Sequence, residues 1–389
     1  MENIYEKIAK KHGTPFYLFD VDKFQMQIEK VATAFEICDL CYCVKANPFL
    51  IPFISKSVSL LEVCSHGEFE LCRHYLIESY KIFYTGVYKK ADEIKEALLY
   101  GVYKFSCESI EQFKILVEVA EVEEKDIQVY LRYGEHNQFG LNRDEILSII
   151  KNNHSERICI TGIHYFERSQ KRKVEKIRQE IEEINWLCTV IQKECNFVVS
   201  NVEYGLGLDA DYFSDNPQKE MDVLLEMASM ELNKWNTTAH ITIEMGRFLA
   251  ASCGYYVSKV VDVKKKGTVN FAILDGGSHQ MHYDGQMMGM KMPIVTNING
   301  IKETYSTWTL CGALCTYNDV FVRNIKIKDL KIEDILVFEF IGAYSVTEGM
   351  AMFLTRDIPP VFMKGQEMGI ICARNRINTN LLNSINALL

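Results

Sequence analysis

The sequence lacks the features that mark membrane-spanning, secreted and zinc-dependent proteins. No apolar run reaches the ~18 residues that a membrane span needs. The opening segment, MENIYEKIAKKHG, is charged and amphipathic and does not contain the apolar core of a secretory signal. No HExxH motif occurs, so a zinc site of that kind has no support. We therefore expect a cytoplasmic protein that does not enter a membrane.

Proline is scarce, and basic residues are outnumbered by acidic ones. The 389 residues include only 7 Pro and no low-complexity stretch, which predicts a compact chain. Lys and Arg number 43 against 52 Asp and Glu, so neither nucleic acid nor an anionic membrane is an expected partner. The 13 cysteines are an odd number, which indicates free thiols in a reducing cytoplasm.

Short β-branched or aromatic runs alternate with longer segments of helical periodicity over the first two thirds of the chain. The clearest helix is predicted for Val174–Glu194, whose apolar residues recur at three- and four-residue spacing. The alternation predicts an α/β fold, a (β/α)8 TIM-like barrel, with a doubly wound sheet as the main alternative. The predicted barrel strands are Leu40–Val44, Ser59–Val63, Lys81–Tyr84, Tyr103–Ser106, Ile127–Arg132, Ile158–His164, Phe197–Glu203 and His240–Ile243.

After Ala251 the pattern changes to strands joined by tight turns, which predicts a second, mostly β domain. The early strand Phe16–Phe19 has no helical crossover within the barrel, so we assign it to this domain. The predicted domains are a barrel of residues 24–250 and a β-sandwich-like domain built from residues 1–23 and 251–389. The later predicted strands are Tyr255–Val263, Thr268–Leu274, Tyr305–Leu310, Asn318–Val322, Asp334–Phe340 and Val361–Phe362, with a hairpin turn at Lys264–Gly267.

Polar and glycine residues follow the predicted barrel strands, where a (β/α)8 barrel gathers its reactive groups. Lys45 directly follows the first strand. A lysine that ends an apolar strand is desolvated, which lowers its pKa and frees the amine for a Schiff base. The other polar or glycine residues that we expect on this rim are Ser65, Glu68, Arg132, His164, Ser169, Gly205, Gly207, Glu244 and Arg247.

The residues after the seventh and eighth predicted strands indicate a binding site for a phosphate group and for a protonated ring nitrogen. Gly205 and Gly207 of EYGLGLD would let backbone N–H groups approach a phosphate, and Arg247 would add a charge-assisted contact. Glu244 ends a buried strand, so its carboxylate needs a partner, and a protonated ring nitrogen would serve.

An ordered set of motifs extends across this pattern: YCVKANP, EVCSHGE, HYFERSQ, GLG, IEMGR, GALC and GAY. The set resembles the fold type III pyridoxal-phosphate decarboxylases, the group of diaminopimelate, ornithine and arginine decarboxylases. The resemblance runs from about Thr14 to Arg356. It implies an alanine racemase-like fold, a (β/α)8 barrel plus a β domain from both chain ends, and a homodimer with shared active sites.

The resemblance implies a role for each matching residue. Lys45 would hold pyridoxal 5'-phosphate as the internal aldimine, and Glu244 would keep the pyridine nitrogen protonated, so that decarboxylation proceeds through a quinonoid intermediate. Cys315, supplied by the partner subunit, would protonate the product carbon. The implied phosphate ligands are Ser169, Gly205, Gly207, Arg247 and Tyr344.

Two segments depart from the family pattern near the cofactor. Phe166 replaces the family histidine that stacks on the ring, and it retains the packing without a titratable group. His164 lies two residues earlier on the same strand face. Glu203 and Tyr204 stand where the family has glycines, and Glu203 would be repulsive if it pointed inward. We therefore expect altered phosphate binding.

A third departure concerns the substrate. Thr316 follows Cys315, where the family usually has an acidic residue that binds the distal amine of lysine-, ornithine- or diaminopimelate-type substrates. The change predicts decarboxylation of an amino acid or amino-acid conjugate without a free distal amine, as in family branches of antibiotic and siderophore pathways, some of which use carrier-tethered substrates. Asp319 is a further candidate contact for a polar group of the substrate.

The segment SHQMHYDGQMMGMKMP holds five methionines and two histidines. His279, His282 and Asp284 are conceivable metal ligands, but no fourth ligand at standard spacing follows, so we expect no metal. The preferred interpretation is a methionine-lined loop at the dimer interface or near the substrate entrance.

Two alternatives stay open: a pyridoxal-phosphate racemase or epimerase, and a catalytically inactive homologue with a regulatory role. Glu244 favours decarboxylation, because in the alanine-racemase branch an arginine usually faces the ring nitrogen. The retention of Lys45, Glu244, Cys315 and Tyr344 argues against a loss of activity.

Overall fold

The computed structural model describes residues 3–135, 137–300 and 304–385 and divides into two compact units. The first unit is assigned residues 1–24, 211–220 and 250–389, and the second residues 25–210 and 221–249. The segment 211–220 therefore belongs to the first unit, although the predicted barrel of residues 24–250 includes it. The physical reason is aromatic packing, because Tyr212 and Phe213 both lie against Tyr283 of the first unit.

The second unit contains a closed barrel of eight parallel strands. It follows an opening helix, α1 (Ile4–His12), and a strand, β1 (Phe16–Asp20), of the first unit. The last barrel strand pairs with the first, which excludes the doubly wound alternative. The barrel strands are β2 (Asp39–Cys43), β3 (Leu60–Val63), β4 (Ile82–Tyr84), β5 (Lys104–Cys107), β6 (Ile127–Tyr133), β7 (Ile158–Tyr165), β8 (Asn201–Gly205) and β9 (His240–Met245).

Helices alternate with the strands, as a parallel barrel requires. The predicted helix at Val174–Glu194 is confirmed as α7, and it buries one apolar stripe that includes Ile177, Ile184 and Ile191. None of the helices among the described residues is long and apolar enough to cross a membrane. The remaining helices are α2 (Val21–Ala34), α3 (His66–His74), α4 (Ala91–Tyr100), α5 (Ile110–Val122), α6 (Arg143–Asn152), α8 (Pro217–Leu232) and α9 (Arg247–Ala250).

The first unit is built on a nine-stranded sheet to which both parts of the chain contribute. Strand β1 lies between β10 and β16, antiparallel to one and parallel to the other, so the assignment of the early strand to this domain is confirmed. The later strands are β10 (Gly254–Lys266), β11 (Val269–Leu274), β12 (Val295–Asn297), β13 (Tyr305–Cys311), β14 (Val320–Lys328), β15 (Ile335–Glu339), β16 (Val361–Gly365) and β17 (Gly369–Arg374).

Three local predictions need correction. The strand predicted from Phe197 begins only at Asn201, where pairing with β7 starts. The lysines of the predicted hairpin turn lie in β10, and the turn itself is Gly267–Thr268. The sequence analysis missed β12 and β17, because the first has only three residues and the second is an exposed strand at the sheet edge.

Candidate active site

The amine of Lys45 lies at the C-terminal rim of the barrel among acidic and thiol groups. Strand β2 ends at Cys43, and a short 3-10 turn, Val44–Ala46, turns the lysine side chain over the strand ends. Its Nζ donates to Glu62 Oε2 at 2.5 Å and to Cys64 Sγ at 3.3 Å, and lies 3.6 Å from Glu244 Oε1. The Lys45 side chain is 35% exposed, so the amine is anchored and still within reach of a small molecule.

The prediction of a lowered pKa for Lys45 is wrong for the structure as it stands. Burial alone would lower this pKa, but the carboxylate of Glu62 leads a set of neighbours that raise it well above its ordinary value. The lysine is therefore held as an ammonium ion until it exchanges these partners for another group.

Glu244 is a buried carboxylate with donors on both oxygens. The Cys43 thiol donates to Oε1 at 3.2 Å, and His164 Nε2 lies 3.0 Å from Oε2. Burial raises the pKa of Glu244, but Lys45 and His164 outweigh this effect and hold it below its usual range. The group is thus a fixed negative charge that could pair with a protonated ring nitrogen.

His164, two residues before the position of the missing stacking histidine, has a partner at both ring nitrogens. Its ring bridges two strands, with Nδ1 at 2.9 Å from Ser106 Oγ and Nε2 on Glu244. We infer that His164 orients the Glu244 carboxylate. Phe166, which replaces the stacking residue, packs directly over Gly205.

Glu203 points into the barrel interior rather than toward the crossing loops that follow β7 and β8. It is 1% exposed, and neither of its carboxyl oxygens has a hydrogen-bond partner among the described residues. Burial raises the pKa of Glu203 well above its usual range, and the nearby Glu244 carboxylate raises it further. Burial therefore favours the neutral form of Glu203. Tyr204 points the other way and donates to Glu180 at 2.5 Å.

The predicted phosphate loop is formed by two chain segments that cross. A Cβ on Gly205 would lie 2.3 Å from the Phe166 ring, and one on Gly207 would lie 2.3 Å from the carbonyl oxygen of Arg168. Gly207 also has φ +58°, a conformation that favours glycine. Ser169 is exposed at this crossing. Arg247 begins the short helix α9, which follows β9. The phosphate ligands predicted in the second unit therefore lie at the ends of β7, β8 and β9, which are neighbouring strands.

Two residues expected on the rim have a structural task instead. The Ser65 hydroxyl accepts from the backbone N–H of Glu68 at 3.3 Å, and the Glu68 carboxylate accepts from the N–H of Cys64 at 2.7 Å. Ser65 is thus the N-cap of α3, and the Glu68 side chain reaches back to the residue before the cap. The sequence analysis instead missed Glu62 and Cys64, although the side-chain alternation of strand β3 places them on one face.

The remaining predicted site residues belong to the first unit. Cys315 and Thr316 are exposed in the loop between β13 and β14. Tyr344 has φ +66°, which is strained for a tyrosine, and its carbonyl accepts from the N–H groups of Thr347 and Glu348.

Asp319, the further predicted contact for a polar group of the substrate, is held by backbone N–H groups. The residue is 3% exposed, and its carboxylate accepts from the backbone N–H groups of Ser278 and Leu314, both at 2.6 Å. It therefore shapes the loop that carries Cys315 instead of presenting a free acid to a substrate.

The methionine-rich segment forms loops beside the sheet. His282 pairs with Glu348, with an Nε2–Oε2 distance of 3.1 Å, while His279 is buried and burial lowers its pKa. Met287 and Met290 are 61% and 65% exposed.

The barrel, the lysine amine and the buried carboxylate define a pyridoxal-phosphate enzyme, and the comparisons identify its family. Residues 21–251 match the pyridoxal binding domain of pyridoxal-dependent decarboxylases, and residues 188–342 match their C-terminal sheet domain. The chain belongs to this family and is a pyridoxal-phosphate-dependent amino-acid decarboxylase.

Relatives cover nearly the whole chain. A diaminopimelate decarboxylase of Zymomonas mobilis is 25% identical, over 95% of this chain and 92% of its own length. A Staphylococcus aureus enzyme named 2-[(L-alanin-3-ylcarbamoyl)methyl]-2-hydroxybutanedioate decarboxylase is 24% identical, over 90% of this chain and 94% of its own. An L-glutamyl-[BtrI acyl-carrier protein] decarboxylase of Niallia circulans is 25% identical, over 92% of this chain and 90% of its own.

Solved structures show the same fold. The diaminopimelate decarboxylase of Methanocaldococcus jannaschii, solved with L-lysine, superposes with a TM-score of 0.87 at 22% identity, and covers 98% of this chain and 95% of its own. The lysine/ornithine decarboxylase of Vibrio vulnificus, solved with cadaverine, gives a TM-score of 0.80 at 20% identity, over 93% of this chain and 95% of its own. These likenesses confirm the predicted barrel and second β domain.

The residues at the rim fit pyridoxal phosphate. Lys45 is a reachable amine, Glu244 is an ionised carboxylate at the end of a neighbouring strand, and Gly205, Gly207 and Arg247 lie at the ends of β8 and β9, the last two barrel strands, after which barrels frequently bind phosphate. When bound, the cofactor supplies an electron-withdrawing ring. Lys45 would anchor the cofactor, Glu244 would hold its ring nitrogen, and His164, which lies against Glu244, would orient that carboxylate.

Proposed function

We propose that this chain removes the α-carboxyl group of an amino acid or amino-acid conjugate that has no free distal amine. The observation that carries the proposal is the Lys45 amine, placed on the rim between Glu62 and Glu244. In this proposal Lys45 carries the cofactor, Glu244 pairs with its ring nitrogen, and Phe166 packs on its ring. The residues proposed for the phosphate are Ser169, Gly205, Gly207, Arg247 and Tyr344.

The substrate side of the proposal is supported by Thr316. This residue is exposed and uncharged beside Cys315, where the family usually provides an acid for a distal ammonium group. A site that lacks the counter-ion discriminates against a substrate that needs it. The names of the relatives from Staphylococcus aureus and Niallia circulans, which describe a conjugate and a carrier-bound substrate, point the same way.

The proposal includes a cytoplasmic homodimer in which the partner subunit supplies the catalytic cysteine, Cys315. Support comes from the exposure of Cys315 and from neighbouring exposed apolar side chains in the first unit. Tyr317 is 96% exposed and Met350 69%, which is costly for a monomer surface.

The test is CO₂ release by the cofactor-loaded protein from a matched panel. The panel pairs free lysine, ornithine and diaminopimelate with glutamate, a citryl-diaminopropionate conjugate and glutamyl-loaded carrier protein. We expect kcat/KM to be at least about tenfold higher for a member without a distal ammonium, the value of one lost charge pair. Equal or faster turnover of lysine, ornithine or diaminopimelate would overturn the substrate assignment. Loss of optical activity without CO₂ would indicate a racemase.

A further inference from the structure

A second buried ionic group lies on the same rim, beyond Lys45. Lys89 follows β4, Glu108 follows β5, and Arg132 stands near the end of β6. These residues are 3%, 6% and 9% exposed. Arg132 Nη1 donates to Glu108 Oε1 at 2.8 Å. We call this set the β4–β6 cluster.

The β4–β6 cluster carries more positive than negative charge. Two cations, Lys89 and Arg132, share the single carboxylate of Glu108, and Lys89 Nζ donates to the carbonyl oxygen of Gly86 at 2.5 Å. Burial lowers the pKa of Lys89 to about 8, and Glu108 opposes this only in part. An uncompensated buried charge is unfavourable, so the cluster would be stabilised by an anion.

The cluster also has open hydrogen-bonding positions. Arg132 Nε and Glu108 Oε2 are buried and have no hydrogen-bond partner among the described residues. The Arg132 guanidinium lies 4.9 Å from the centroid of the Phe139 ring, which covers one of its faces. A guanidinium with a covered face and a free N–H edge is suited to a carboxylate.

A continuous set of contacts joins the cluster to the reactive amine. Lys45 Nζ donates to Cys64 Sγ at 3.3 Å. Gly86 packs so closely on Cys64 that a Cβ would lie 2.3 Å from the Cys64 carbonyl oxygen, and Gly86 in turn accepts from Lys89. The cluster therefore occupies the ends of consecutive strands next to Lys45, on the rim where barrels bind substrates.

We propose that Lys89 and Arg132 bind a carboxylate on the side chain or conjugated group of the substrate. This inference rests on the proposed function and narrows it from a substrate without a distal cation to one with a distal anion. In the bound state the carboxylate replaces the Gly86 carbonyl as the acceptor for Lys89 and occupies the free edge of Arg132.

Binding of simple acids to the cofactor-free protein tests this proposal without any turnover. The probes are glutarate, butyrate and 1,5-diaminopentane, followed by calorimetry and by the midpoint of thermal unfolding at pH 7. Butyrate has one carboxylate fewer than glutarate, and the diamine reverses the charge. We expect glutarate and butyrate both to bind, since each offers a carboxylate to the cluster, and the diamine not to bind.

Variants separate a binding role from a structural one. Lys89→Gln should weaken glutarate binding about tenfold or more, while Lys89→Arg should retain it. Lys104→Gln, a lysine at the opposite end of neighbouring strand β5, is the matched control and should leave glutarate binding unchanged. Glu108→Gln removes the competing anion and should not weaken binding.

Two results would overturn the proposal: binding of the diamine, or an unchanged glutarate affinity in Lys89→Gln. The CO₂ panel tests the proposed function separately from the carboxylate-binding proposal, because glutarate binding needs neither the cofactor nor catalysis. If Lys89→Gln does not fold, glutarate titrations of the wild type and Lys89→Arg across pH 7 to 10 replace it. Affinity in the wild type should then fall as Lys89 loses its proton, and remain in the arginine variant.

Discussion

Glu203 and Glu244 show how the pKa of the same side chain is shifted in opposite directions within one barrel. Glu244 has a thiol, an imidazole and an ammonium group as partners and stays ionised. Glu203 has neither an ammonium nor an imidazole group as a partner, and burial raises its pKa well above the usual range. The difference is one of partners rather than of burial, since both residues are almost fully buried.

Replacing Glu203 with Gln should stabilise the cofactor-free protein above about pH 4.3, the pKa of an unfolded glutamate. The folded pKa is raised, so between the unfolded and folded values only the unfolded chain ionises, and stability falls as pH rises. Glutamine cannot ionise. The advantage of Glu203→Gln in unfolding free energy should therefore grow from near zero at pH 4 to about 1–3 kcal/mol at pH 8. A difference that does not change with pH, measured by denaturant titration, would contradict this assignment.

At single positions the sequence predicted where the reactive residues lie better than it predicted their pKa values. Lys45 and Glu244 follow from their places at strand ends, and the structure brings them within 3.6 Å. The pKa of Lys45 was predicted with the wrong sign, because strand-end burial is visible in a sequence while the carboxylate of Glu62 across the next strand is not. The backbone N–H partners of Asp319 could not be predicted for a similar reason.

The two ends of the segment 203–207 differ in the space that they leave for a side chain. Glu203 and Tyr204 replace family glycines inside strand β8, where side chains have room on either face. Gly205 and Gly207 lie where another chain segment crosses, so a Cβ has no space. Periodicity predicts strands of this kind well, but it cannot show which loops cross.

Gly207→Ala should weaken binding of pyridoxal phosphate about tenfold or more. Alanine would be strained at φ +58° and its Cβ would meet the Arg168 carbonyl, which forces the loop to move. Gly267→Ala is the matched control, because Gly267 has the same φ but lies at a hairpin tip with nothing within 4 Å of a Cβ. Fluorescence titration with the cofactor measures both. Equal affinities in the two variants would show that the crossing is unimportant for the phosphate.

Over the whole chain, the order of elements predicted the fold. Alternating strands and helices gave the barrel, and the early strand was correctly joined to the later sheet. The exchange of residues 211–220 into the first unit could not be predicted, because it depends on contacts of Tyr212 and Phe213 with the distant Tyr283. Neither unit alone contains both Lys45 and Cys315.

Mixing two inactive variants should restore activity if each site uses residues of two subunits. Lys45→Ala and Cys315→Ala homodimers are each expected to lose decarboxylation. After subunit exchange at equal amounts, half the dimers carry one intact site of two, which predicts about a quarter of wild-type CO₂ release. Sites made within one subunit would give no recovery, and a monomeric mass by light scattering would exclude the shared site altogether.

Borohydride reduction of the pyridoxal-phosphate-loaded protein, followed by peptide mapping, tests whether Lys45 is the residue that carries the cofactor. We expect one covalently fixed cofactor per chain on the peptide containing Lys45, none in Lys45→Ala, and wild-type labelling in the control variant Lys104→Ala. A reduced adduct on another lysine such as Lys89, or an adduct that persists in Lys45→Ala, would contradict the site described here.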